Sequence, residues 1–215
     1  MIKQGDFIEI EYTGKIKDSQ MVFDTTVESV AKENDMHDPG RKYGGVVVCI
    51  GQGNILPGLE KKLIGKEENK EYTIELSPEE GFGKKSAKLI QLISTSKFRK
   101  DNIEPYPGMQ VNVDGNIGIV KTVTGGRTLV DFNHPLASKD IVYDVKILRV
   151  LTDDLEKAKG YLSHIIGDAE VELNEGVLKV ASKNKIPKEI VSLIEKKIKE
   201  IIPTINKVEF ADKFK

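Results

Sequence analysis

Residues 46–60 read VVVCIGQGNILPGLE, and the change of pattern inside this stretch decides the fold. Its first five residues, Val46 to Ile50, are all apolar, which is typical of a buried strand, and Gly51 and Gly53 end that run. Pro57 suits the first position of a helix, because the N–H that proline lacks has no partner there anyway. Leu56, Leu59 and Leu63 recur at helical spacing around this position, and Gly65 follows as a C-terminal cap. The stretch therefore predicts a strand, a glycine turn and a short helix.

Alternation of apolar and polar residues marks the other strands of the same sheet. Residues 8–13 and 72–76 both alternate with the two-residue period of a half-buried strand. A further run, residues 141–148, is too apolar to stand alone beside a finished domain. We therefore expect this run to return to the first sheet, so that residues 1–84 and 133–150 form one discontinuous domain.

Residues 85–132 show shorter strands separated by hairpin signals, namely Asp114-Gly115 and Gly125-Gly126. We predict that this segment is a small all-β domain inserted into a loop of the first domain, because surface loops tolerate insertions. Two interpretations of its apolar residues stay open: they form a small core, or they are exposed and hold unfolded chains. These residues are Leu89, Ile90, Leu92, Ile93 and Met109.

Residues 153–215 are predicted to form a third, α+β region. It has helical patterns from Asp154 to Ile166 and from Pro187 to Ile201, two strands joined by Asn174-Glu175-Gly176, and a last strand at Val208 and Phe210. We find no catalytic motif in it. A unit of this size buries little core on its own, so we expect it to dock elsewhere or to form a homodimer.

The composition excludes several classes of function. Lys and Arg number 33 against 34 Asp and Glu, so no basic excess points to nucleic acid. The longest apolar run, Val46 to Ile50, is far shorter than the roughly 20 residues of a membrane-spanning helix. The amino terminus begins an alternating strand pattern rather than a secretory signal, and Cys49 is the single cysteine. We therefore expect a cytoplasmic protein.

Several short motifs, taken in their order along the chain, resemble the FKBP family of prolyl isomerases. They are Gly5-Asp6, Tyr12-Thr13-Gly14, Val22 to Thr26, Ile50 to Glu60, Pro78 to Gly83 and Val142 to Val145. The insertion after Gly83, with the return at Asn133 to Ala137, is similar to the SlyD-type subfamily, in which a small β domain in the flap binds unfolded chains. Residues 153–215 resemble the C-terminal extension of long archaeal members. The implied fold is α+β: an antiparallel sheet wrapped on a short helix, an inserted all-β domain in the flap, and a C-terminal α+β domain.

The resemblance also implies which residues line a pocket for proline. They are Tyr12, Phe23, Asp24, Ile55, Leu56, Leu59, Phe82 and Tyr143. Two of them depart from the family pattern: the pocket floor, often Trp, is Leu59, and the turn aromatic, often Tyr, is Phe82.

The chemistry of the implied reaction fits these residue types. Rotation about an Xaa-Pro amide breaks no covalent bond and takes roughly tens to hundreds of seconds without a catalyst. Such a site needs no nucleophile, cofactor or metal. It needs an apolar wall that strips water from the amide, and a donor such as the Leu56 N–H at a helix start. We expect Asp24 and the Tyr12 hydroxyl to pair with each other rather than to transfer protons.

The function expected from the resemblance is peptidyl-prolyl cis/trans isomerisation, with ATP-independent chaperone activity through the inserted domain. The expected partners are unfolded or partly folded proline-containing polypeptides, not nucleic acids or membranes. The alternative is a non-catalytic holdase or assembly adaptor that uses the same fold as a binding module, and Leu59 at the pocket floor favours it.

Several other residues could have a functional role, but a structural role explains each of them better. Cys49 could be a nucleophile, but a buried cysteine inside an apolar run is better explained as a small hydrophobic residue. Asp35, His37 and Asp38 could hold a metal, although three polar residues in a turn usually only solvate a loop. His134 beside Pro135 is better explained as a structural junction than as a ligand.

Overall fold

The computed structural model describes residues 1–167, 169–182 and 186–211. The chain divides into two compact units, one made of Met1–Leu76 with Ile141–Lys215 and the other of Ser77–Asp140. The strands of the first unit are β1 Phe7–Ile16, β2 Val22–Thr25, β3 Val46–Cys49, β4 Lys70–Leu76, β9 Ile141–Leu151, β10 Ala169–Asn174, β11 Val177–Ser182 and β12 Lys207–Ala211. Its helices are α1 Glu28–Glu33, α2 Pro57–Leu63, α4 Asp154–Ile166 and α5 Lys188–Ile201. The second unit holds β5 Ile90–Ser94, β6 Gln110–Val113, β7 Asn116–Thr124 and β8 Arg127–Asp131, with helix α3 Thr95–Lys100.

The first unit is built on a five-stranded antiparallel sheet in the order β2-β1-β9-β4. Strand β9 pairs with the whole length of β1, and β3 and β2 share the other edge of β1, β3 along its first half and β2 along its second. The return of residues 141–148 to this sheet follows from their apolar pattern, because Ile141, Tyr143 and Val145 are buried. The predicted α+β fold class is confirmed.

Helix α2 has the sequence-predicted boundaries and contributes to the core. Pro57 is its first residue, and Gly65, just past its end, has the left-handed backbone (φ 81°) that a glycine cap provides. Leu59 and Leu63 are almost completely buried, and the helix lies against β4. Burial of each leucine contributes about 1.5–3 kcal/mol to folding, which fixes the helix on the sheet.

The C-terminal region docks onto the first sheet. One hydrophobic cluster joins Phe7, Cys49 and Leu151 of the sheet to C-terminal residues such as Leu162 and Ile198. The region contains the two predicted helices, the predicted hairpin β10–β11, and β12 as a parallel neighbour of β11. Docking therefore supplies the buried surface that a unit of this size lacks on its own.

Helix α4 packs closely on β3 at Gly160. The His164 Nε2 atom lies 2.5 Å from the Val47 carbonyl oxygen, and a Cβ added at Gly160 would lie 2.4 Å from the Val47 Cβ. The backbone of Gly160 therefore packs directly against the Val47 side chain, which leaves no room for a Cβ.

Gly160→Ala is expected to destabilise the protein by about 1–3 kcal/mol, although alanine in a helix interior normally stabilises. The added methyl group must push α4 away from Val47 and so disturb the shared core. Urea unfolding of this variant beside Lys159→Ala, an exposed neighbour in the same helix, measures the effect. An unchanged or increased unfolding midpoint in Gly160→Ala would contradict the close packing.

The second unit is a four-stranded antiparallel sheet in the order β5-β8-β7-β6. Its apolar residues divide between a small core and the surface. Ile93 and Met109 pack against a small core of Phe98, Val111, Val120 and Val130. The large apolar side chains Leu89, Ile90, Leu92, Tyr106 and Ile117 are exposed.

Among the helices of the described residues, none has the length and the apolar character needed to cross a membrane.

Candidate active site

A β-bulge in the first sheet directs two neighbouring residues to one site. Gly14 pairs with Asp24 and Lys15 pairs with Val22, so the register shifts by one residue and Phe23 is an extra residue in β2. Successive side chains of a regular strand point to opposite faces, whereas a bulge re-aims a side chain. The bulge is the local reason that both Phe23 and Asp24 reach the surroundings of Tyr12 and Tyr143.

Three aromatic rings form a wall around Gly14. The centroids of Tyr12 and Tyr143 are 5.7 Å apart, and those of Phe23 and Tyr143 are 5.8 Å apart, both in edge-to-face geometry. A methyl group at Gly14 would lie 2.8 Å from Cζ of Phe23 and 2.9 Å from Cε1 of Tyr143. Gly14 is therefore required for the rings to close over the strand, a role that sequence reasoning did not assign to it.

The polar part of the site is a chain of three side chains centred on Asp24. The Tyr12 hydroxyl donates to Asp24 Oδ2 at 2.8 Å, and Arg41 Nη2 donates to Asp24 Oδ1 at 3.0 Å. Burial, together with the charge of Asp24 and the hydrogen bond to it, raises the pKa of the Tyr12 hydroxyl above its usual range. Burial and then the Asp24 charge also raise the pKa of Tyr143. Both tyrosines therefore stay protonated at neutral pH, and Tyr12 acts as a hydrogen-bond donor.

Three further residues of the predicted site lie at the start of α2. Ile55 and Leu56 are half-buried in the connection from β3, and Leu59 is buried inside the helix. Leu56 is the N-cap residue, and its carbonyl accepts the N–H groups of Leu59 and Glu60. Among the described residues, none accepts a hydrogen bond from the Leu56 N–H. That donor is therefore open to a ligand.

Two polar contacts hold the turn that leads to this donor. Asn54 Oδ1 accepts the Cys49 N–H at 2.9 Å, and Glu60 Oε1 accepts the Gly53 N–H at 3.1 Å. The turn between β3 and α2 is thus tied at both ends, so its backbone presents Leu56 in a fixed position.

Phe82, the remaining predicted site residue, belongs to the second unit. Its ring is stacked on that of His134, with centroids 4.4 Å apart and planes within 2° of parallel. Nδ1 of His134 accepts the Leu136 N–H at 3.1 Å, which fixes the imidazole. His134 is thus a structural junction, as its place beside Pro135 predicted.

Arg41 and Tyr43 are neighbours of the site that sequence reasoning missed. Arg41 is 17 residues from Asp24 in a polar loop, where no periodic pattern shows which way a side chain points. Its guanidinium lies over the Tyr43 ring, 5.7 Å from the centroid. The sequence signal that could have pointed to them is an arginine and an aromatic residue close together in a polar loop.

The alternative interpretations of Cys49 and of the acidic loop have structural answers. Cys49 is buried, and burial raises the pKa of its thiol to about 11, so it packs as an apolar residue and is a poor nucleophile. His37 stacks on Tyr43 and lies 3.3 Å from Glu28 Oε1, while Asp38 Oδ1 accepts the Gly40 N–H at 2.8 Å. These contacts build a loop, and the described residues contain no cluster of His, Cys, Asp and Glu side chains that could hold a metal ion.

Comparison with known proteins shows which family this chain resembles. Residues 1–99 match the model of the family described as FKBP-type peptidyl-prolyl cis-trans isomerase, and residues 91–136 match the one described as FKBP26, IF domain. The short-type peptidyl-prolyl cis-trans isomerase of Methanocaldococcus jannaschii is 34% identical over 68% of this chain and 92% of its own length. A probable FKBP-type 16 kDa isomerase of Pseudomonas fluorescens is 36% identical over 47% of this chain and 69% of its own. The isomerase SlyD of Treponema pallidum is 33% identical over 54% of this chain and 69% of its own.

Proposed function

The chain belongs to the FKBP-type peptidyl-prolyl cis-trans isomerase family, and on that premise we propose that its first unit catalyses rotation about Xaa-Pro bonds while its second unit holds unfolded chains. The observation that carries the catalytic part is the convergence of Tyr12, Phe23, Asp24 and Tyr143, produced by the bulge in β2. The substrates are proline-containing polypeptides, which fits an apolar wall with only one polar cluster.

The proposed mechanism is desolvation and positioning. The planar amide has a charge-separated resonance form that loses more from desolvation than the twisted amide does, so an apolar wall favours the twisted state. Phe23 and Tyr143 supply that wall beside the proline ring. The Leu56 N–H orients a substrate carbonyl, and the Tyr12–Asp24 pair supplies polar contacts to the peptide backbone. Leu59 as the floor and Phe82 as a further wall residue stay predictions from the family resemblance.

The holding activity is proposed for the exposed apolar residues of the second unit. Strand β5 is an edge strand of its sheet, and Ile90 and Leu92 are exposed on it, with Tyr106 and Ile117 exposed elsewhere in the unit. An exposed apolar edge strand is a natural binding place for an extended polypeptide, because both its backbone and its side chains can pair. This is the chaperone-like part of the proposed function.

Two finer points belong to the same proposal. Cys49 is a free thiol, which supports a reducing compartment such as the cytoplasm as the place of action. Self-association through the C-terminal region, as predicted from its size, would use the apolar residues exposed on α4 and α5, which are Ile165, Ile190 and Leu193.

A second candidate function, a non-catalytic holdase or adaptor, is favoured by one observation. Leu59 is 1% exposed, so the residue at the predicted pocket floor offers a ligand almost no surface in this conformation. In that case the fold would bind chains without accelerating proline rotation.

Asp24→Ala is expected to lower kcat/KM for a proline tetrapeptide by about tenfold, because the Tyr12 hydroxyl loses its acceptor and Arg41 loses its carboxylate partner. Asp24→Asn keeps an acceptor oxygen for Tyr12 and should lose only about two- to threefold. A protease-free assay of cis/trans exchange measures both variants. If Asp24→Asn were as inactive as Asp24→Ala, with a pH profile to match, Asp24 would be transferring a proton and the proposed mechanism would be wrong.

A further inference from the structure

A turn at the surface of the second unit displays a tyrosine followed by a proline. Residues 106–109 read Tyr-Pro-Gly-Met, and the Met109 N–H donates to the Tyr106 carbonyl at 3.0 Å, which closes the turn. Pro107 is at the second position and Gly108, with φ 89°, is at the third, which is the arrangement of a type II turn. The second unit therefore carries a folded Xaa-Pro element, the kind of bond on which the first unit is proposed to act.

Contacts on both sides of the turn hold it in a fixed shape. Ile103 and Met109, which flank it, pack against the small core of the second unit, and Pro105 is buried. The Gly108 N–H donates to the Val120 carbonyl at 2.8 Å, so the turn is also tied to strand β7. A preformed segment loses little conformational entropy when it binds, which favours its association with a complementary pocket.

The tip of the turn is accessible to a second molecule. Tyr106 is 62% exposed, and Pro107 and Gly108 are exposed beside it, so no other part of the described chain covers them. A type II turn uses Pro107 and Gly108 for its backbone angles, but it does not require an aromatic residue at its first position. The geometry of the turn therefore does not account for Tyr106.

The other exposed prolines of the described residues lack this combination. The residues that precede them are acidic, stacked on another ring, half-buried or buried, and they are Asp38, Leu56, His134, Ile186 and Ile202. Among the prolines that the structure describes, Pro107 is thus the one exposed proline that follows an exposed large apolar side chain.

The candidate active site has the chemistry to receive this tip. Its wall consists of the rings of Tyr12, Phe23 and Tyr143, arranged edge-to-face. Such rings bind a proline ring and a further aromatic ring through apolar and edge-to-face contacts. The open N–H of Leu56 can donate to a carbonyl of the turn. The tip therefore matches both the apolar and the polar part of the site.

We propose that the Tyr106-Pro107 turn of one copy of the protein binds in the proline pocket of a second copy, as a substrate-like occupant that unfolded clients displace. The inference rests on the proposed function, since it assigns a partner to the same pocket. Only a short segment makes contact, so the association is weak, with a Kd of about 0.1–1 mM. At catalytic concentrations the pockets stay open, and only concentrated protein covers them.

The test uses two variants, a receiver and a presenter, and follows the backbone N–H signals of Gly14 and Leu56 by NMR. The receiver is 15N-labelled Pro107→Ala, whose pocket is intact and whose own turn lacks the proline. The presenter is unlabelled Phe23→Ala, whose turn is intact and whose pocket lacks one wall residue. Added presenter should shift the two receiver signals with half-saturation at about 0.1–1 mM, and excess Ala-Leu-Pro-Phe should reverse the shifts.

Further substitutions in the presenter separate the proposed contact from other association. Tyr106→Ser keeps the proline and the glycine of the turn, but half-saturation should move to an about 5- to 20-fold higher concentration because the ring contact is lost. Pro39→Ala is the matched control, since Asp38-Pro39-Gly40 is another exposed turn, closed by the Arg41 N–H on the Asp38 carbonyl at 3.1 Å. This substitution should leave the titration unchanged.

The possible failures can be told apart. If Ala-Leu-Pro-Phe neither shifts the receiver signals nor exchanges faster in the presence of the receiver, the proposed function is wrong. If the tetrapeptide does both but the presenter shifts nothing, or Tyr106→Ser shifts the signals as well as the intact presenter does, the function stands and this inference is overturned. If the pocket signals of the dilute parent already differ from those of dilute Pro107→Ala, the turn reaches the pocket of its own chain, and the assignment to a second copy is wrong.

Discussion

Phe23→Ala is expected to lower kcat/KM for a proline tetrapeptide by about 10- to 100-fold while the chain stays folded. Phe23 is the extra residue of the bulge, and its ring meets Tyr143 edge-to-face over Gly14. Its side chain is half-buried, so truncation removes wall surface from the site without opening a closed core. Loss of one aromatic side chain from the wall costs about 1.5–3 kcal/mol of apolar contact. If that contact is made in the transition state, the barrier rises by the same amount and the rate falls by about 10- to 100-fold.

A matched control lies two residues away. Met21→Ala also removes a large apolar side chain next to β2, but Met21 is 55% exposed. Its activity should stay within about twofold of the parent, since an exposed side chain contributes little. Equal losses in Phe23→Ala and Met21→Ala, at unchanged thermal stability, would show that the aromatic wall does not bind the substrate.

Excising residues 87–132 is expected to separate the two proposed activities. Activity on a tetrapeptide should stay within about twofold, whereas catalysis of a proline-limited protein refolding reaction should fall about 100-fold. The reason is tethering: a second binding site raises the local substrate concentration to roughly the millimolar range and increases overall binding by about two orders of magnitude or more.

The structure shows how the excision can be closed. The Ser86 N–H donates to Asn133 Oδ1 at 2.8 Å, and the Asn133 side-chain amide donates back to the Ser86 carbonyl at 3.1 Å. The two cut ends are therefore already neighbours, and a two- or three-residue turn can join them. The excised chain keeps both Phe82 and His134.

Point variants give the same test without a deletion. Leu92→Ser with Ile117→Ser removes exposed apolar surface and should reduce refolding catalysis, while Gln91→Ser, an exposed polar position on the same strand, should not. If the excised protein lost tetrapeptide and refolding activity equally, the division of labour between the two units would be wrong.

Much of the fold could be predicted from sequence because its signals are local. Residues 46–60 specify β3, a turn and α2 through an apolar run, two glycines and a proline, and the structure has these elements at these places. The elements of the C-terminal region could be placed for the same reason. Docking was one of two expectations, but its place could not be predicted, because the contact between Gly160 and Val47 joins residues more than a hundred positions apart and depends on an absent side chain.

The candidate site was predictable in its residue types but not in its construction. Tyr12, Asp24 and Tyr143 follow from the family resemblance, and the hydrogen bond between Tyr12 and Asp24 was expected. The bulge that turns Phe23 toward Tyr143 is a property of strand register, which no period-two pattern reveals. Arg41 was missed for a related reason: a polar loop has no periodicity, so its side-chain directions are set only by tertiary contacts.

The most direct test of the central claim is the rate of cis/trans exchange in a proline tetrapeptide such as Ala-Leu-Pro-Phe, followed by NMR exchange spectroscopy with catalytic amounts of the parent protein. The account predicts an exchange rate that exceeds the uncatalysed rate and rises in proportion to protein concentration. The uncatalysed exchange takes roughly tens to hundreds of seconds. It also predicts little change with pH across the neutral range, because the raised pKa of Tyr12 keeps its hydroxyl protonated and no step transfers a proton. A rate that stays at the uncatalysed value, with the peptide or an unfolded chain still bound, would contradict the account and support a non-catalytic holdase.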